Sequence, residues 1–253
     1  MEILEVKNLC KTFGRMPVIM NLSFTVEEGE FSSIIGPNGA GKTTLFNLCS
    51  GHFRCTSGRI FYKGERIDKV SKNRRVKLGI GRAFQRVNIF PELTVFENIR
   101  VPIISHYGIS WRFFHDIATV HSVNERTMKT LKMIGLQQRK DQIAGKLDHG
   151  EMKLLDIGIA LALEPSLLFL DEPTAGMTPN ERKRIIQLIK QIWEERRLTI
   201  VLIEHDIDMV FAVSQKVRVL NFGELLAEGS PKEISENPEV VKAYLGEGID
   251  YDT

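Results

Sequence analysis

The 253-residue sequence lacks the cysteine pattern of a disulfide-stabilised or metal-binding protein. Its three cysteines are odd in number, and no two of them lie at the spacing of a zinc or redox motif. They are Cys10, Cys49 and Cys55. We interpret them as small apolar side chains in a reducing compartment.

The sequence also lacks a long hydrophobic run and a secretory signal. Its most apolar segment, residues 154–163, is too short to span a bilayer and contains Asp156. The N-terminus has no basic region followed by an apolar stretch. We therefore expect a soluble chain that reaches a membrane only through a partner.

A strong net charge of either sign is absent as well. The 34 Lys and Arg residues are balanced by 32 Asp and Glu residues, which leaves a formal net charge of +2. Nucleic-acid-binding domains usually carry a clear basic excess, so the balance argues against that class. For the one local basic run, charge patterning favours a solvated face over a binding patch. The run contains Arg74, Arg75, Lys77, Arg82 and Arg86.

What the sequence does contain is an alternation of apolar strands and helical segments. Strands are predicted at 3–6, 22–26, 31–35, 167–170, 199–203 and 216–221, with a hairpin over 58–67. Helices are predicted at 42–50, 94–99, 124–134, 151–163, 180–195, 207–213 and 238–245, while 103–120 is poorly patterned. The pattern predicts an α/β core with a mainly parallel sheet, interrupted by a helical insertion.

A glycine-rich loop follows the strand predicted at 31–35. It reads GPNGAGKT from Gly36 to Thr43, matches G-x-x-x-x-G-K-[ST], and is followed by a helix. Glycines let the backbone aim consecutive N–H groups at phosphate oxygens, and the helix N-terminus adds partial positive charge. Lys42 would place its ammonium on the β- and γ-phosphates, and the Thr43 hydroxyl would be a ligand for Mg²⁺. The predicted nucleotide-binding residues are Asn38, Gly39, Ala40, Gly41, Lys42, Thr43 and Thr44.

A later apolar strand ends in two carboxylates, Asp171 and Glu172. Ligands of open α/β sheets lie beyond the carboxyl ends of the strands, so we expect Asp171 at the edge that carries the phosphate loop. A carboxylate there can hold Mg²⁺, usually through a water. Glu172 points elsewhere because strand side chains alternate, and it is suited to polarising the water that attacks the γ-phosphate. Without the phosphate loop, a plain strand-to-turn interpretation would serve equally well.

The order of these motifs resembles the nucleotide-binding subunit of ABC transporters. GPNGAGKTT resembles the first Walker motif, and LLFLDEPTAG resembles the second with its following loop. Between them stand Gln85, in GRAFQ, and the segment LDHGE, and after them stands His205, in VLIEHD. The resemblance covers nearly the whole chain. It implies one ABC ATPase domain with a P-loop NTPase core, an N-terminal antiparallel β-subdomain and an inserted helical subdomain. The implied boundaries are 1–86 and 164–230 for the core, 87–163 for the insertion and 231–253 for a helical tail.

The resemblance also implies roles for single residues. Gln85 resembles the glutamine that joins Mg²⁺ and senses the γ-phosphate, although a surface glutamine is the plain alternative. His205 resembles the switch histidine that contacts the γ-phosphate and orders the attacking water. Phe13 resembles the aromatic residue that stacks on adenine, whereas an aromatic in an early strand is more often part of the core.

The segment LDHGE departs from the family signature, which is usually leucine-serine-glycine-glycine-glutamine. Gly150 is kept, but Asp148 replaces the serine and His149 replaces the first glycine. In the family this segment contacts the γ-phosphate held by the opposite subunit, so Asp148 would bring a negative charge toward a polyphosphate. A structural interpretation is that Asp148 and Glu151 form a helix capping box.

Two segments are similar to one branch of the family, the ATP-binding subunits of importers for branched-chain amino acids and for related amide or urea systems. They are FQRVNIFPELTVFENI and LLAEGSPKEISENPEVVKAYLG. The resemblance implies ATP and Mg²⁺ as cofactors and a position at the cytoplasmic face of the cell membrane. The implied partners are transmembrane permease subunits, a second nucleotide-binding subunit, identical or distinct, and an extracytoplasmic solute-binding protein.

Two other classes stay open at this point. One is a soluble ABC-type ATPase that acts on nucleic acid or ribosomes, although such proteins usually carry two cassettes or long insertions. The other is a regulatory ATP-binding subunit with little hydrolysis of its own, which Asp148 suggests.

Overall fold

The computed structural model describes residues 1–83, 87–106 and 117–245, with the side chains of 117–120, 244 and 245 left aside. Two compact units are formed, one by Met1–Arg75 together with the described part of Arg197–Thr253, and the other by the described part of Val76–Arg196. We refer to them as the first and second units. Among the described residues, no helix has the length and apolar character needed to cross a membrane.

In chain order the elements are β1 (Glu2–Phe13), β2 (Met16–Glu27), β3 (Phe31–Ile35), α1 (Lys42–Cys49), β4 (Ser57–Tyr62), β5 (Glu65–Arg66), α2 (Lys72–Leu78), β6 (Ile80–Ala83), α3 (Val95–His106), α4 (Ile117–Met133), α5 (His149–Leu161), β7 (Leu167–Asp171), α6 (Pro179–Arg196), β8 (Thr199–Ile203), α7 (Ile207–Val213), β9 (Lys216–Asn221), β10 (Glu224–Gly229), α8 (Pro231–Ser235) and α9 (Pro238–Leu245). Short 3₁₀ turns lie at Gln137–Arg139 and Ala144–Lys146.

The first unit opens with an antiparallel sheet in the order β2-β1-β4-β5, which confirms the predicted antiparallel subdomain. Its first two strands have 12 residues each and are much longer than the predicted 3–6 and 22–26. Their pairing shifts register at several points, for example between Val6 and Leu9. Such irregularities break the two-residue alternation on which a strand prediction rests, so only the regular parts were predicted.

The first unit also contains the parallel strands that carry the phosphate loop. Strand β3 lies between β8 and β9 and is parallel to both, and β10 adds an antiparallel hairpin to β9. All residues of β3 and β8 are buried, as expected for strands covered on both faces. The predicted bounds of β3, β8 and β9 agree with the structure, because dense apolar runs between turn residues give a clear signal.

The second unit contains the parallel pair β6 and β7 with the helices α3 to α6. Helix α5 packs against β6 and also contacts α3. Strand β6 was not predicted, since it has only four residues and includes Gly81 and Arg82. Helix α3 was predicted to end at residue 99 but continues through Pro102 to His106.

The predicted solvated face of the basic run is wrong at two positions. Arg75 is 1% exposed, and its Nη1 donates to the carbonyls of Leu48 and Cys49 at 2.7 and 2.8 Å. These carbonyls end α1, where a cation is favoured by the helix dipole. Arg82 is also buried, with 6% of its side chain exposed, because it pairs with a carboxylate.

Candidate functional site

The phosphate loop depends on glycines at two points of close backbone approach. A Cβ on Gly36 would lie 2.1 Å from the Leu220 carbonyl oxygen. A Cβ on Gly41 would lie 2.9 Å from the carbonyl oxygen of Val18, and Gly41 has φ +100°. Neither position accepts a larger residue without movement of the backbone. The loop is therefore held against β2 and against the end of β9.

Helix α1 begins at Lys42, near the end of this loop. Gly41 is the N-cap residue and makes no side-chain hydrogen bond. Lys42 is 6% exposed, and its Nζ donates to the carbonyls of Gly36 and Pro37 at 2.5 and 2.9 Å. An uncapped helix N-terminus beside an ammonium is suited to bind a phosphate anion.

His205 lies at the same sheet edge as the phosphate loop within the first unit. In the parallel pair of β3 and β8, Ile34 is opposite Ile203. Gly36 and His205 each follow two residues later, so they leave the sheet at the same level. His205 is exposed, its backbone N–H donates to the buried Glu204 carboxylate at 3.3 Å, and the next residue caps α7.

Phe13 is not part of the core, since it is 42% exposed at the end of β1. Its ring forms an edge-to-face contact with Phe53, with centroids 5.3 Å apart and planes at 78°. The Lys11 Nζ lies 4.6 Å from the Phe13 ring centroid. The structure thus places the predicted adenine-stacking residue within an exposed aromatic pair beside a lysine.

In the second unit, Asp171 ends β7 as a buried, charge-paired carboxylate. Its side chain is 1% exposed, and its Oδ2 accepts a hydrogen bond from Arg82 Nη2 at 2.8 Å. The other oxygen, Oδ1, is buried without a hydrogen-bond partner among the described residues. Burial raises the pKa of the Asp171 carboxyl above its ordinary value, against the opposing effect of Arg82. A buried oxygen of this kind is suited to a cation or an ordered water.

Glu172 directly follows Asp171 and has a backbone conformation that is rare for its residue type. Its φ is +48°, in the left-handed region that disfavours residues with a Cβ. Such a conformation costs about 1–3 kcal/mol, and the surface residue Glu164 has the same φ, so it does not by itself mark a functional residue. The following loop is anchored within the unit, because Thr174 is 2% exposed and its carbonyl accepts from Met177 N.

The segment LDHGE forms the start of α5, and the predicted capping box is confirmed. Asp148 is the N-cap, and its Oδ1 accepts from the Glu151 backbone N–H at 2.7 Å. The Glu151 Oε2 accepts from the Asp148 backbone N–H at 3.4 Å. Gly150 lies in the first turn, so the N-terminus of α5 already holds a carboxylate of its own.

A contact that the sequence did not predict joins this segment to the loop after Glu172. His149 Nε2 lies 3.3 Å from the carbonyl oxygen of Ala175, which makes the ring nitrogen the donor. A Cβ on Gly176 would lie 3.5 Å from the same nitrogen. The signature-like segment and the loop after Glu172 are therefore in contact within the second unit.

The remaining predicted site residue, Gln85, lies outside the described residues. The sequence reasoning missed Arg82 because it assigned the basic run to a solvated surface. A strand assignment at 80–83 would have shown that Arg82 belongs to a buried strand. No local pattern could have shown the contacts of Phe53 or His149, since both depend on tertiary packing.

Comparison with known proteins gives a consistent assignment. The family model for "ABC transporter" matches residues 19–175, and that for "Branched-chain amino acid ATP-binding cassette transporter" matches residues 224–250. The high-affinity branched-chain amino acid transport ATP-binding protein LivG of Salmonella typhimurium is 35% identical over 97% of this chain and 98% of its own length. The corresponding protein BraF of Pseudomonas aeruginosa is 37% identical over 97% of this chain and 98% of its own.

Solved structures agree with the fold assignment. A nucleotide-free ATP-binding cassette from an ABC transporter superposes with a TM-score of 0.84 at 30% identity, covering 98% of this chain and 100% of its own. The predicted fold class, with its parallel strands and antiparallel subdomain, is therefore confirmed.

Proposed function

The chain belongs to the ABC transporter family, and from this premise we propose that it is the ATP-hydrolysing subunit that energises branched-chain amino acid import by a membrane transporter. The observation that carries the ATPase assignment is the phosphate loop, in which an uncapped helix N-terminus and Lys42 converge. The amino-acid assignment is supported by similarity over nearly the full length to two branched-chain amino acid transport ATP-binding proteins.

ATP binding is assigned to the loop and to the start of α1. The backbone N–H groups from Asn38 to Thr44 would donate to phosphate oxygens, and the α1 dipole favours the negative charge. Lys42 would exchange its present contacts with two loop carbonyls for contacts with the β- and γ-phosphates. Phe13, with its exposed ring, would stack on the base.

The donor set fits Mg²⁺, which prefers carboxylate, hydroxyl and phosphate oxygens. The buried Oδ1 of Asp171 has no hydrogen-bond partner among the described residues, and the Thr43 side chain is exposed at the start of α1. Thr43, Asp171 and Gln85 would hold the ion, which when bound would neutralise charge on the transferred phosphoryl group. Arg82 holds the Asp171 carboxylate in its orientation.

Glu172 is proposed as the residue that polarises the attacking water, with His205 ordering that water and contacting the γ-phosphate. The position of Glu172 directly after the buried carboxylate of Asp171 at the end of β7 supports the assignment. His205 lies at the level of the phosphate loop at the edge of the β3–β8 pair, which supports its role.

The chain would act with partners at the cytoplasmic face of the membrane. We propose transmembrane permease subunits, a second nucleotide-binding subunit, identical or distinct, and an extracytoplasmic solute-binding protein, and no nucleic acid. Two nucleotide subunits would close head to tail over ATP, and hydrolysis would reopen them. Residues 87–163 are proposed as the helical subdomain that transmits the motion to the permease, with 1–86 and 164–230 as the catalytic core and 231–253 as a tail.

A second candidate function is a low-turnover regulatory subunit, and the Asp148 cap favours it. The carboxylate at the N-terminus of α5 would face the γ-phosphate held by the opposite subunit and weaken one composite site. Turnover measured for the isolated chain and for the membrane assembly discriminates between the candidates. An assembly that binds ATP but hydrolyses it no faster than a Glu172→Gln variant would support the regulatory function.

The test of the catalytic assignment is Glu172→Gln. Removing the base should lower ATP turnover about 100-fold or more and leave ATP binding intact. Glu164→Gln is a matched control, because Glu164 is also a glutamate with φ +48°, but it pairs with Arg126 on the surface. Normal hydrolysis by Glu172→Gln would exclude Glu172 as the base. Co-purification from membranes, with the partners identified, tests the assembly.

A further inference from the structure

We propose that Phe53 and Lys11 complete the base-binding site, with Phe53 as a second aromatic wall and Lys11 as a clamp that fixes the Phe13 ring. The inference rests on the proposed ATP-binding function and extends it to the purine ring of the nucleotide. Every contact on which it depends lies within the first unit.

The starting observation is a pair of exposed aromatic rings in contact with each other. Phe13 is 42% and Phe53 is 37% exposed, whereas the core apolar side chains are nearly inaccessible. Their planes meet at 78° with centroids 5.3 Å apart, which is a favourable edge-to-face geometry. Two perpendicular rings form a corner, so a flat base that stacks on one ring presents its edge to the other.

Lys11 fixes this corner from one side. Its Nζ lies over both rings, 4.6 Å from the Phe13 centroid and 5.9 Å from the Phe53 centroid. The same ammonium donates to the carbonyl oxygen of Arg54 at 2.9 Å, so its position is set by backbone. Because the ammonium covers one face of Phe13, a base would stack on the opposite face of a ring that is already oriented.

The corner is connected to the phosphate loop through β1 and β2, and to the C-terminal turn of α1 through Phe53. In the pairing of β1 with β2, Lys11 lies opposite Ile19, whose side chain would meet a Cβ on Gly41 at 2.8 Å. Phe13 lies two residues, about 7 Å, further along β1. The Phe53 backbone N–H donates to the carbonyl of Asn47 in α1 at 3.0 Å. One ring is thus carried by β1, which pairs with the strand that contacts the loop, and the other by the segment that follows α1.

This geometry assigns different roles to the three side chains. Phe13 would touch the face of the purine, and Phe53 would touch its edge. Lys11 would act on the nucleotide through the rings and is a positioning residue. Recognition by ring faces requires an aromatic base and makes no demand on the phosphates. The contribution of all three residues should therefore disappear when the base is removed from the ligand.

The experiment compares ADP with inorganic pyrophosphate, each titrated calorimetrically with Mg²⁺ into the full chain. Phe53→Leu keeps an apolar side chain and should weaken ADP binding about 2- to 10-fold, and Lys11→Met should weaken it about 2- to 5-fold. Phe13→Ala should show the largest loss, about 5- to 100-fold. Pyrophosphate affinity should stay unchanged in all three variants. The conservative variants Phe53→Tyr and Lys11→Arg retain the ring and the cation, so they should bind ADP with an affinity close to that of the wild type.

Matched controls come from the same sheet. Lys7 also lies on β1 over a phenylalanine ring, 5.3 Å from the Phe61 centroid. Lys7→Met and Phe61→Leu should therefore leave the affinities for both ligands unchanged. Equal losses for ADP and pyrophosphate in Lys11→Met would mean that Lys11 attracts phosphate or supports the fold, and would overturn the clamp.

The outcome also separates this inference from the proposed function. If Lys42→Ala abolishes binding of both ligands while Phe53→Leu and Lys11→Met leave ADP affinity at the wild-type value, the nucleotide site stands and the base corner is refuted. If Lys42→Ala leaves ADP binding untouched, the phosphate loop is not the nucleotide site, and the base corner fails with it.

Discussion

Helices α1 and α5 begin in opposite ways, although the family resemblance assigns both N-termini to a phosphate. At α1 the N-cap is Gly41, which supplies no side-chain acceptor to the first N–H groups. At α5 the N-cap is Asp148, which with Glu151 satisfies them through a capping box. The N-terminus of α1 can therefore bind the anion of a ligand, whereas that of α5 already binds the carboxylate of Asp148. A family motif can thus keep its place in the fold and change its electrostatic character.

The contrast between α1 and α5 is tested most directly by adding to the phosphate loop a negative charge like that of Asp148 at α5. Asn38 is exposed at the loop tip, so Asn38→Asp adds a carboxylate with little change of shape. Repulsion from the nucleotide phosphates should lower ADP affinity about 10-fold or more at low salt, and added salt should reduce the difference. The measurement is a calorimetric titration at two salt concentrations.

Asn38→Ser is the neutral control for this experiment. It removes the amide without adding charge and should stay within about 3-fold of the wild-type affinity, since the assigned phosphate contacts are from the backbone. Equal losses in the two variants, or a loss that does not respond to salt, would mean that the loop does not face the phosphates.

The reverse change removes the charge from α5. Asp148→Ser restores the usual family residue and keeps a good N-cap, so the helix should form as before. With the carboxylate gone, ATP turnover of the membrane assembly should rise about 2- to 5-fold, in line with the effect of one charge at a helix N-terminus. The rate is measured against ATP concentration in the purified assembly. An unchanged or lower rate would show that Asp148 does not limit the site to which α5 contributes.

The two helix ends also show what a sequence can predict. The loop from Gly36 to Thr43 was predicted with its strand and helix, because its conformation depends on glycines at fixed local positions. The Asp148–Glu151 capping box was predicted for the same reason, since both partners lie within four residues. Local chemistry sufficed in both cases.

Features that depend on distant partners were not predictable in this way. Arg82 was assigned to a solvated face, yet it is buried against Asp171, which lies 89 residues away in the sequence. The contact between His149 and Ala175 joins two loops, and only the fold brings them together. The long strands β1 and β2 were predicted only in part because their register shifts interrupt the alternation.

A smaller effect, on thermal stability, distinguishes the capping role of Asp148 from the effect of its charge. Asp148→Ala removes both, whereas Asp148→Ser removes only the charge. The alanine variant should lose about 1 kcal/mol in the free energy of unfolding, because the Glu151 backbone N–H loses its acceptor. For a chain of this size that corresponds to about 2–4 °C in Tm. Thermal unfolding followed by circular dichroism compares the two variants, and equal Tm values would show that the capping box does not stabilise α5.

The smallest expected effect concerns a third helix, α6, whose preceding residue Thr178 is a neutral counterpart of Asp148. The Glu181 Oε2 accepts from the Thr178 hydroxyl at 2.7 Å and from its backbone N–H at 2.8 Å. These bonds hold the pKa of Glu181 below its ordinary value of 4.5, with the hydroxyl as the larger cause. Thr178→Ala should therefore raise the pKa of Glu181 part of the way back to its ordinary value, because the backbone donor of residue 178 remains.

The sign of the pH effect follows from this direction. A carboxyl with a lowered pKa in the folded state contributes stability that is present above pH 4.5 and is lost as the pH falls through the folded-state pKa. Thr178→Ala should narrow the pH range over which this stability is lost, because the folded-state pKa of Glu181 moves closer to 4.5. Carbon NMR titration of the Glu181 carboxyl measures this pKa directly. Glu233 at α8, whose pKa is lowered first by the Ser230 backbone N–H and then by the Ser230 hydroxyl, is the internal control, and its pKa should not change. An unchanged pKa of Glu181 in Thr178→Ala would mean that the Thr178 backbone N–H alone lowers it. The Thr178 hydroxyl would then contribute nothing to this interaction at the start of α6.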